Sequence, residues 1–209
     1  MIQTIFPHYF YSTISPPNKK EVIRTLNNGP ASSLDQPAWA NGCEIKAESL
    51  DPQFVGPILR DTIITYFGEL GIKYCPKIEL LSVWKNTYNK GYYQEVHDHH
   101  TAEGSHLSGV VFFNDYVEGA SQFYFYNKFF AELPTPWVRM VKENNLTSHG
   151  FFLKPKAGDI ILFPSYMMHG VPPNKTNRTR KALVVNALTK GTLGDQKTIS
   201  EIIFGRYAK

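Results

Sequence analysis

Residues 97–106 read HDHHTAEGSH and residues 158–169 read GDIILFPSYMMH. Four histidines in the first stretch and one in the second make five of the chain's seven. Side chains alternate faces along a strand, so a strand through this region points His97 and His99 one way and Asp98 the other. Two imidazoles on one face chelate a cation. A third donor after a distant strand, His169, completes one triangular face of an octahedron and leaves three positions for a bidentate cosubstrate and dioxygen, a geometry suited to oxidation chemistry. If the strand bulges or ends at His97, Asp98 takes the place of His99. His100 and His106, among Thr101, Ala102, Glu103, Gly104 and Ser105, read as a solvated turn.

Working outward, segments of strand length recur between turn residues from Ile78 onward: IELLSVWKNTY (78–88), YYQEVHDH (92–99), HLSGVVFFN (106–114), SQFYFYN (121–127), FFLKP (151–155), DIILFPS (159–165) and ALVVNAL (182–188). The stretch 128–150 breaks that rhythm and reads as an insertion that could serve as a lid. Ahead of the strands, residues 1–11 read as a first strand. SPPNKKEVIRTLNN (15–28) reads as a short helix started by Ser15, and 29–50 as a loop or loose strand pair. DPQFVGPILRDTIITYFGELGI (51–72) reads as a helix capped by Asp51, with Phe54, Ile58, Ile63, Tyr66, Phe67 and Leu70 on its apolar stripe. The pattern predicts an α+β domain with a jelly-roll or barrel core and N-terminal supporting helices. On this reading 1–77 carry the N-terminal strand, helices and loop, 78–190 the core, and 191–209 a C-terminal extension.

Composition narrows the class. A chain of 209 residues fits one domain, and 14% aromatic content favours sheet. Runs such as VVFF and DIILF are strand-length, far short of the roughly 18 residues of a membrane span. MIQTIFPHYFY has no basic leader, so a cytoplasmic protein is expected. Cys43 and Cys75 lack CxxC spacing and are expected to be free, and the sequons at Asn145, Asn174 and Asn177 then carry no meaning. The net charge is +4, with basic residues grouped at 17–24 and 175–181 but no long basic stripe interleaved with aromatics. That favours solvated loops over a nucleic-acid partner.

In order, GYYQEVHDH (91–99), SGVVFFN (108–114), GDIILFPSYMMHGVPPN (158–174) and RKALVVN (180–186) resemble the iron(II) and 2-oxoglutarate dependent dioxygenases, in their prolyl-hydroxylase-like branch with small bacterial and phage-borne members. The resemblance spans about residues 80–190. It implies a double-stranded β-helix, Fe(II) held by His97, His99 and His169, and 2-oxoglutarate as cosubstrate. The family's usual second ligand is an Asp, and His99 stands at that position here. Three neutral imidazoles leave the ion's full charge facing a dianionic cosubstrate. The far carboxylate of 2-oxoglutarate needs a cation, and Arg180 begins the strand RKALVVNAL on the face of Ala182, Val184 and Asn186. Arg178 is the alternative. Asn86 and Tyr88 could hydrogen-bond the cosubstrate, and Trp84, on the same face, could wall the pocket. Of Phe123 and Phe125 against Tyr124 and Tyr126, one pair must face inward.

The implied reaction is hydroxylation of an amino acid, peptide or small metabolite, with release of succinate and carbon dioxide. A rival is the cupin class of metal-binding jelly rolls, whose motifs are partly met by Gly91, His97, His99, Glu103, Pro164 and His169. Arg180 favours the oxygenase, because the cupin motif has no use for it. A barrel that binds a partner without catalysis is the non-enzymatic alternative.

Overall fold

The computed structural model describes residues 11–32, 45–71, 77–100, 104–128 and 148–190. Ten strands and two helices run β1 (Ser12–Ile14), α1 (Lys19–Asn27), β2 (Lys46–Ser49), α2 (Pro52–Glu69), β3 (Lys77–Tyr88), β4 (Gln94–His97), β5 (Leu107–Phe112), β6 (Tyr124–Tyr126), β7 (Gly150–Phe152), β8 (Ile160–Pro164), β9 (His169–Val171) and β10 (Arg180–Lys190). All pairings are antiparallel. One sheet has six strands in the order β1-β8-β5-β10-β3-β2, and the other has four in the order β4-β9-β6-β7.

The large sheet is buried on both faces, which is why β5 reads LSGVVF without polar alternation: all six of its residues are buried. Leu107 and Val111 join Leu162, Leu183 and Val185 in a core against the helices, whereas Val110 and Phe112 join Phe123, Phe163 and Val184 in a second core that spans the two sheets. The layers are therefore helices, six-stranded sheet and four-stranded sheet. Inside the second core lies the cluster of histidines described below.

Asp51 caps α2 as its position predicts, accepting from the Gln53 amide at 2.8 Å, with Pro52 in the first turn. The buried stripe is Val55, Leu59, Thr62, Ile63, Tyr66 and Phe67. Phe54 and Ile58 pack only at its margin and Leu70 is exposed, so the apolar face is turned from the expected one, toward the residues that meet β3 and β8. Each fully buried aliphatic side chain there contributes roughly 1.5–3 kcal/mol. The first helix starts later than expected, at Lys19. Ser15 does not cap it but donates to Asp159 Oδ1 at 2.5 Å, because a residue preceding proline is held extended. In the region read as a loop or loose strand pair, Lys46–Ser49 pairs with β3. The strand expected over 1–11 lies outside the described residues except for Tyr11, and the first observed strand follows it. The 191–209 extension and most of the 128–150 insertion, with its lid role, also lie outside them, as do Cys43 and Cys75. Among the described residues no helix is long and apolar enough to cross a membrane.

Gly109 shows how tightly the helix-side core is built. A Cβ there would stand 2.7 Å from Leu162 Cδ2, 3.0 Å from Val185 Cγ2 and 3.3 Å from the Ile161 carbonyl. Gly109→Val should therefore lower stability by roughly 1–3 kcal/mol through overpacking. Gly68→Ala, near the end of α2 where a Cβ meets nothing within 4 Å, should raise it by up to about 1 kcal/mol. Urea unfolding midpoints compare the two, and equal effects would contradict the packing described here.

Candidate metal centre

Two strands of the small sheet, β4 and β9, pair so that His97 and His169 are direct cross-strand partners, which puts both imidazoles on one face. Their ring centroids are 4.4 Å apart. The register shifts between Gln94 and His97: Gln94 pairs with Val171, so three steps along β4 match two along β9. This β-bulge re-aims the end of β4. Its narrowness depends on Gly170, where a Cβ would lie 3.3 Å from the carbonyls of both Gln94 and Glu95.

His99 does not continue the strand. β4 ends at His97, and Asp98 turns away to accept the His100 amide at Oδ1, 3.0 Å, which starts a helical turn. Side-chain alternation is thus the wrong reason for His97 and His99 to meet; a bend does it. That bend is pinned from β8 and β5. The His99 amide donates to the Ser165 carbonyl at 3.0 Å, and the Ser105 amide to the His99 carbonyl at 3.3 Å. Ser105, Ser108 and Ser165 are buried and joined through their hydroxyls at 2.6 and 2.9 Å, and Ser108 donates to Asn186 Oδ1 at 2.8 Å. Buried polar groups linked this way fix one arrangement.

The outcome is that His97, His99 and His169 each bring one nitrogen to a common spot, all within 4.8 Å of one another. Among the described residues this is the group of histidine, cysteine or acidic side chains spaced to hold a metal ion, and Asp98 is not part of it. The tautomers suit ligation. His97 Nδ1 lies 2.8 Å from the Glu95 carbonyl and His169 Nδ1 2.8 Å from the Met167 carbonyl, so both carry their proton on Nδ1 and leave Nε2 as a lone pair. Phe123 stacks on His169 at 5.3 Å, and Trp84 meets the His99 ring edge at 5.7 Å. Burial pushes the His169 pKa well below its usual 6.5, and the neighbouring His97 and His99 push the same way against the Met167 carbonyl. An uncharged, wall-stacked imidazole is a ready ligand. His100 and His106 are exposed, as the turn reading expects.

The pocket that holds the triad is also lined by Tyr88, Gln94, Val110, Arg180, Ala182 and Val184. Trp84, Asn86 and Tyr88 sit opposite Val184, Ala182 and Arg180 in the β3–β10 ladder, so the expected inward face is the observed one. Arg180 is only 8% exposed, its guanidinium lies 4.8 Å from the Tyr88 ring and 5.4 Å from Phe112, and its Nη1 has no hydrogen-bond partner among the described residues. Burial lowers its pKa, offset in part by the Tyr88 hydroxyl. Arg178 is exposed and lines, with Asn114, Tyr116 and Ser121, an adjoining cavity that Arg180 also borders, but it does not line the triad pocket. Asn86 is fully buried, and it donates to the Tyr88 hydroxyl at 3.1 Å while its Oδ1 has no partner among the described residues. Phe123 and Phe125 are the inward pair, and Tyr124 and Tyr126 are half-buried.

Two contributors escaped the sequence reading. Gln94 reaches the triad because of the bulge. Asn174, 1% exposed, donates to the Tyr88 carbonyl at 3.1 Å and the Arg178 carbonyl at 2.8 Å, and so ties the end of β3 to the start of β10. Its place in a Pro-Pro-Asn turn was the available signal.

A three-imidazole cluster, two of its rings buried, beside a buried arginine and between two antiparallel sheets points to the class of metal-dependent β-fold enzymes. The profile of the family described as "Putative 2OG-Fe(II) oxygenase" matches residues 82–186, which carry every one of these side chains, and the chain belongs to that family. It is therefore an enzyme of the iron(II) and 2-oxoglutarate dependent kind, as the order of its motifs led one to expect; Glu103, on which the cupin alternative leaned, lies outside the described residues. No curated protein matches the sequence. The fold resembles that of a 2OG-Fe(II) oxygenase family oxidoreductase from Burkholderia pseudomallei, at 11% identity and TM-score 0.58 over 88% of each chain. It also resembles a Pseudomonas putida prolyl-4-hydroxylase, at 14% identity and TM-score 0.56 over 88% of this chain and 95% of that one. HygX from Streptomyces hygroscopicus, whose structure holds nickel and 2-oxoglutarate, shares 12% identity and a TM-score of 0.55 over 91% and 88% of the two chains.

The lowered His169 pKa gives a pH dependence with a definite sign. The unfolded chain takes up this proton near pH 6.5 and the folded protein only well below it, so acid favours unfolding. The stability linked to His169 is complete above about pH 6.5 and is lost as pH falls toward the folded value. Urea midpoints of metal-free protein should drop below that pH, and His169→Gln should show a shallower drop. An unchanged slope in the variant would contradict the burial argument.

Proposed function

We propose that His97, His99 and His169 hold one Fe(II), that Arg180 anchors the far carboxylate of 2-oxoglutarate, and that the enzyme hydroxylates a small metabolite, free amino acid or peptide side chain. The observation that carries this reading is the convergence of three imidazole nitrogens in the pocket that Arg180 lines. The donor set fits the ion: three imidazoles, two of them oriented by backbone carbonyls, form one face and leave the rest to oxygen ligands. The buried Nη1 of Arg180 fits the cosubstrate, because an orphaned guanidinium N–H is costly unless a ligand supplies an acceptor. The two-sheet arrangement supports a double-stranded β-helix, with β3 to β10 as its eight strands.

Iron with 2-oxoglutarate supplies the oxidising chemistry: dioxygen's two atoms are divided between the substrate's new hydroxyl and the succinate that forms with loss of carbon dioxide. The chain's own residues do the positioning. Arg180 and Tyr88 hold one end of the dicarboxylate at the start of β10. The serine–asparagine network keeps the His99 bend in place. Phe112, Phe123, Val110 and Val184 keep water from the pocket, so that charges inside interact at low dielectric. A cytoplasmic location belongs to the same proposal.

Each of His97→Ala, His99→Ala and His169→Ala should remove most bound iron, read by metal analysis of untagged protein, whereas Asp98→Ala should retain it. Normal iron in His99→Ala with loss in Asp98→Ala would reverse the second ligand. Arg180→Met should leave iron intact and weaken 2-oxoglutarate binding by several kcal/mol, at roughly 1.5–3 kcal/mol per charge-assisted hydrogen bond, and Arg178→Met should do little. Calorimetry separates the two arginines. Succinate release on incubation with pools of amino acids, peptides and metabolites then tests hydroxylation itself.

A further inference from the structure

Gln94 is 7% exposed and stands at the triad with its amide orientation dictated by neighbours. Asn86 Nδ2 donates to the Tyr88 hydroxyl at 3.1 Å, and that hydroxyl donates its single proton to Gln94 Oε1 at 2.7 Å. The amide nitrogen must then face the other way, and it lies 3.2 Å from His97 Nε2. Since His97 carries its proton on Nδ1, toward the Glu95 carbonyl, Nε2 accepts. In this arrangement Gln94 donates to the very lone pair that a cation bound to His97 needs.

We propose that Gln94 is a binding residue for an anionic oxygen ligand of the metal. The inference rests on the reading of the triad as an iron site that takes 2-oxoglutarate. A cation that takes the His97 lone pair strips the Gln94 N–H of its acceptor. The amide stays buried and tethered by Tyr88, beside the ion, and a buried N–H without an acceptor is destabilising. An oxygen bound to that ion is the acceptor within reach, and the metal-bound carboxylate or keto oxygen of the cosubstrate supplies it. The bulge in β4 is what brings Gln94 onto the face of His97, three residues along, where regular alternation would send it to the opposite face. A pocket with this donor favours an oxygen ligand that keeps a lone pair for the amide, and a carboxylate oxygen most, because a hydrogen bond to a charged acceptor is the stronger.

A merely structural prop for His97 predicts that loss of Gln94 weakens the metal. The proposal predicts a split. Ni(II), then 2-oxoglutarate, are titrated calorimetrically into wild type, Gln94→Leu and Gln94→Glu. Gln94→Leu should bind Ni(II) no more weakly than wild type, the competing hydrogen bond being gone, yet bind 2-oxoglutarate about tenfold or more weakly once loaded. Gln94→Glu keeps the shape and the Tyr88 contact but presents an oxygen instead of an N–H. It should lose 2-oxoglutarate affinity at least as strongly, and it carries the test if the Leu variant fails to fold. Unchanged 2-oxoglutarate affinity in a folded Gln94 variant, or a loss of Ni(II) affinity that accounts for the whole effect, overturns the proposal. Failure of wild type to bind Ni(II) or 2-oxoglutarate overturns it together with the reading on which it rests.

Discussion

The antiparallel pairing of β4 with β9 is the constraint on which the rest of the site depends. It makes His97 and His169 cross-strand neighbours, and its bulge decides which other side chains join them. β4 is a short strand in a small sheet, and few backbone hydrogen bonds hold it. What keeps it in register is close approach: Gly170 lets the Gln94 and Glu95 carbonyls come within 3.3 Å of where a side chain would begin. Phe123 stacked on His169 and the aromatic contacts of Phe125 and Phe163 then press the ligand-bearing strand from the side of the second core. The small sheet is positioned by packing more than by its ladder.

The pocket also stores an imbalance. Arg180 Nη1 and Asn86 Oδ1 are buried without hydrogen-bond partners among the described residues, and each such group costs on the order of 1–3 kcal/mol. The fold tolerates this because the two cores around the large sheet are well filled, from Leu59 and Ile63 on the helix side to Trp84 and Phe163 between the sheets. Strain of this kind gathers where a ligand relieves it.

Most of the fold was legible because period and length are local. The double-sided burial of β5 and β8 shows as unbroken apolar runs, the helix over 51–72 shows a cap and a stripe, and the β3 and β10 faces follow from alternation alone. The site was legible as residue types, and His97, His99, His169, Arg180, Asn86 and Tyr88 all come to one region. Its geometry was not. A bulge and a bend are decisions of tertiary structure: whether a strand ends at His97 depends on the Ser165 carbonyl, some 66 residues away, accepting the His99 amide. Hence His99 was expected beside His97 for the wrong reason, and Gln94, sent to the other face by strict alternation, was missed. The rotated stripe of α2 has the same origin, since its packing on β3 and β8 selects which of two adjacent helical faces is covered.

Charge gives the last step. No residue lining the triad pocket is acidic, while Arg180 adds a positive charge to whatever the three imidazoles hold. A divalent ion there faces no protein carboxylate, so its field and that of Arg180 fall undiminished on the ligand between them, at the low dielectric of a pocket walled by Phe123, Val110 and Val184. A dianion with one carboxylate at each end offsets the whole charge of Arg180 and half that of the ion, and a monoanion leaves one of the two centres bare. On the proposed reading, a third neutral imidazole, His99, in place of a carboxylate strengthens the demand for a dicarboxylate and shifts onto the cosubstrate a share of the charge compensation that an acidic ligand would provide.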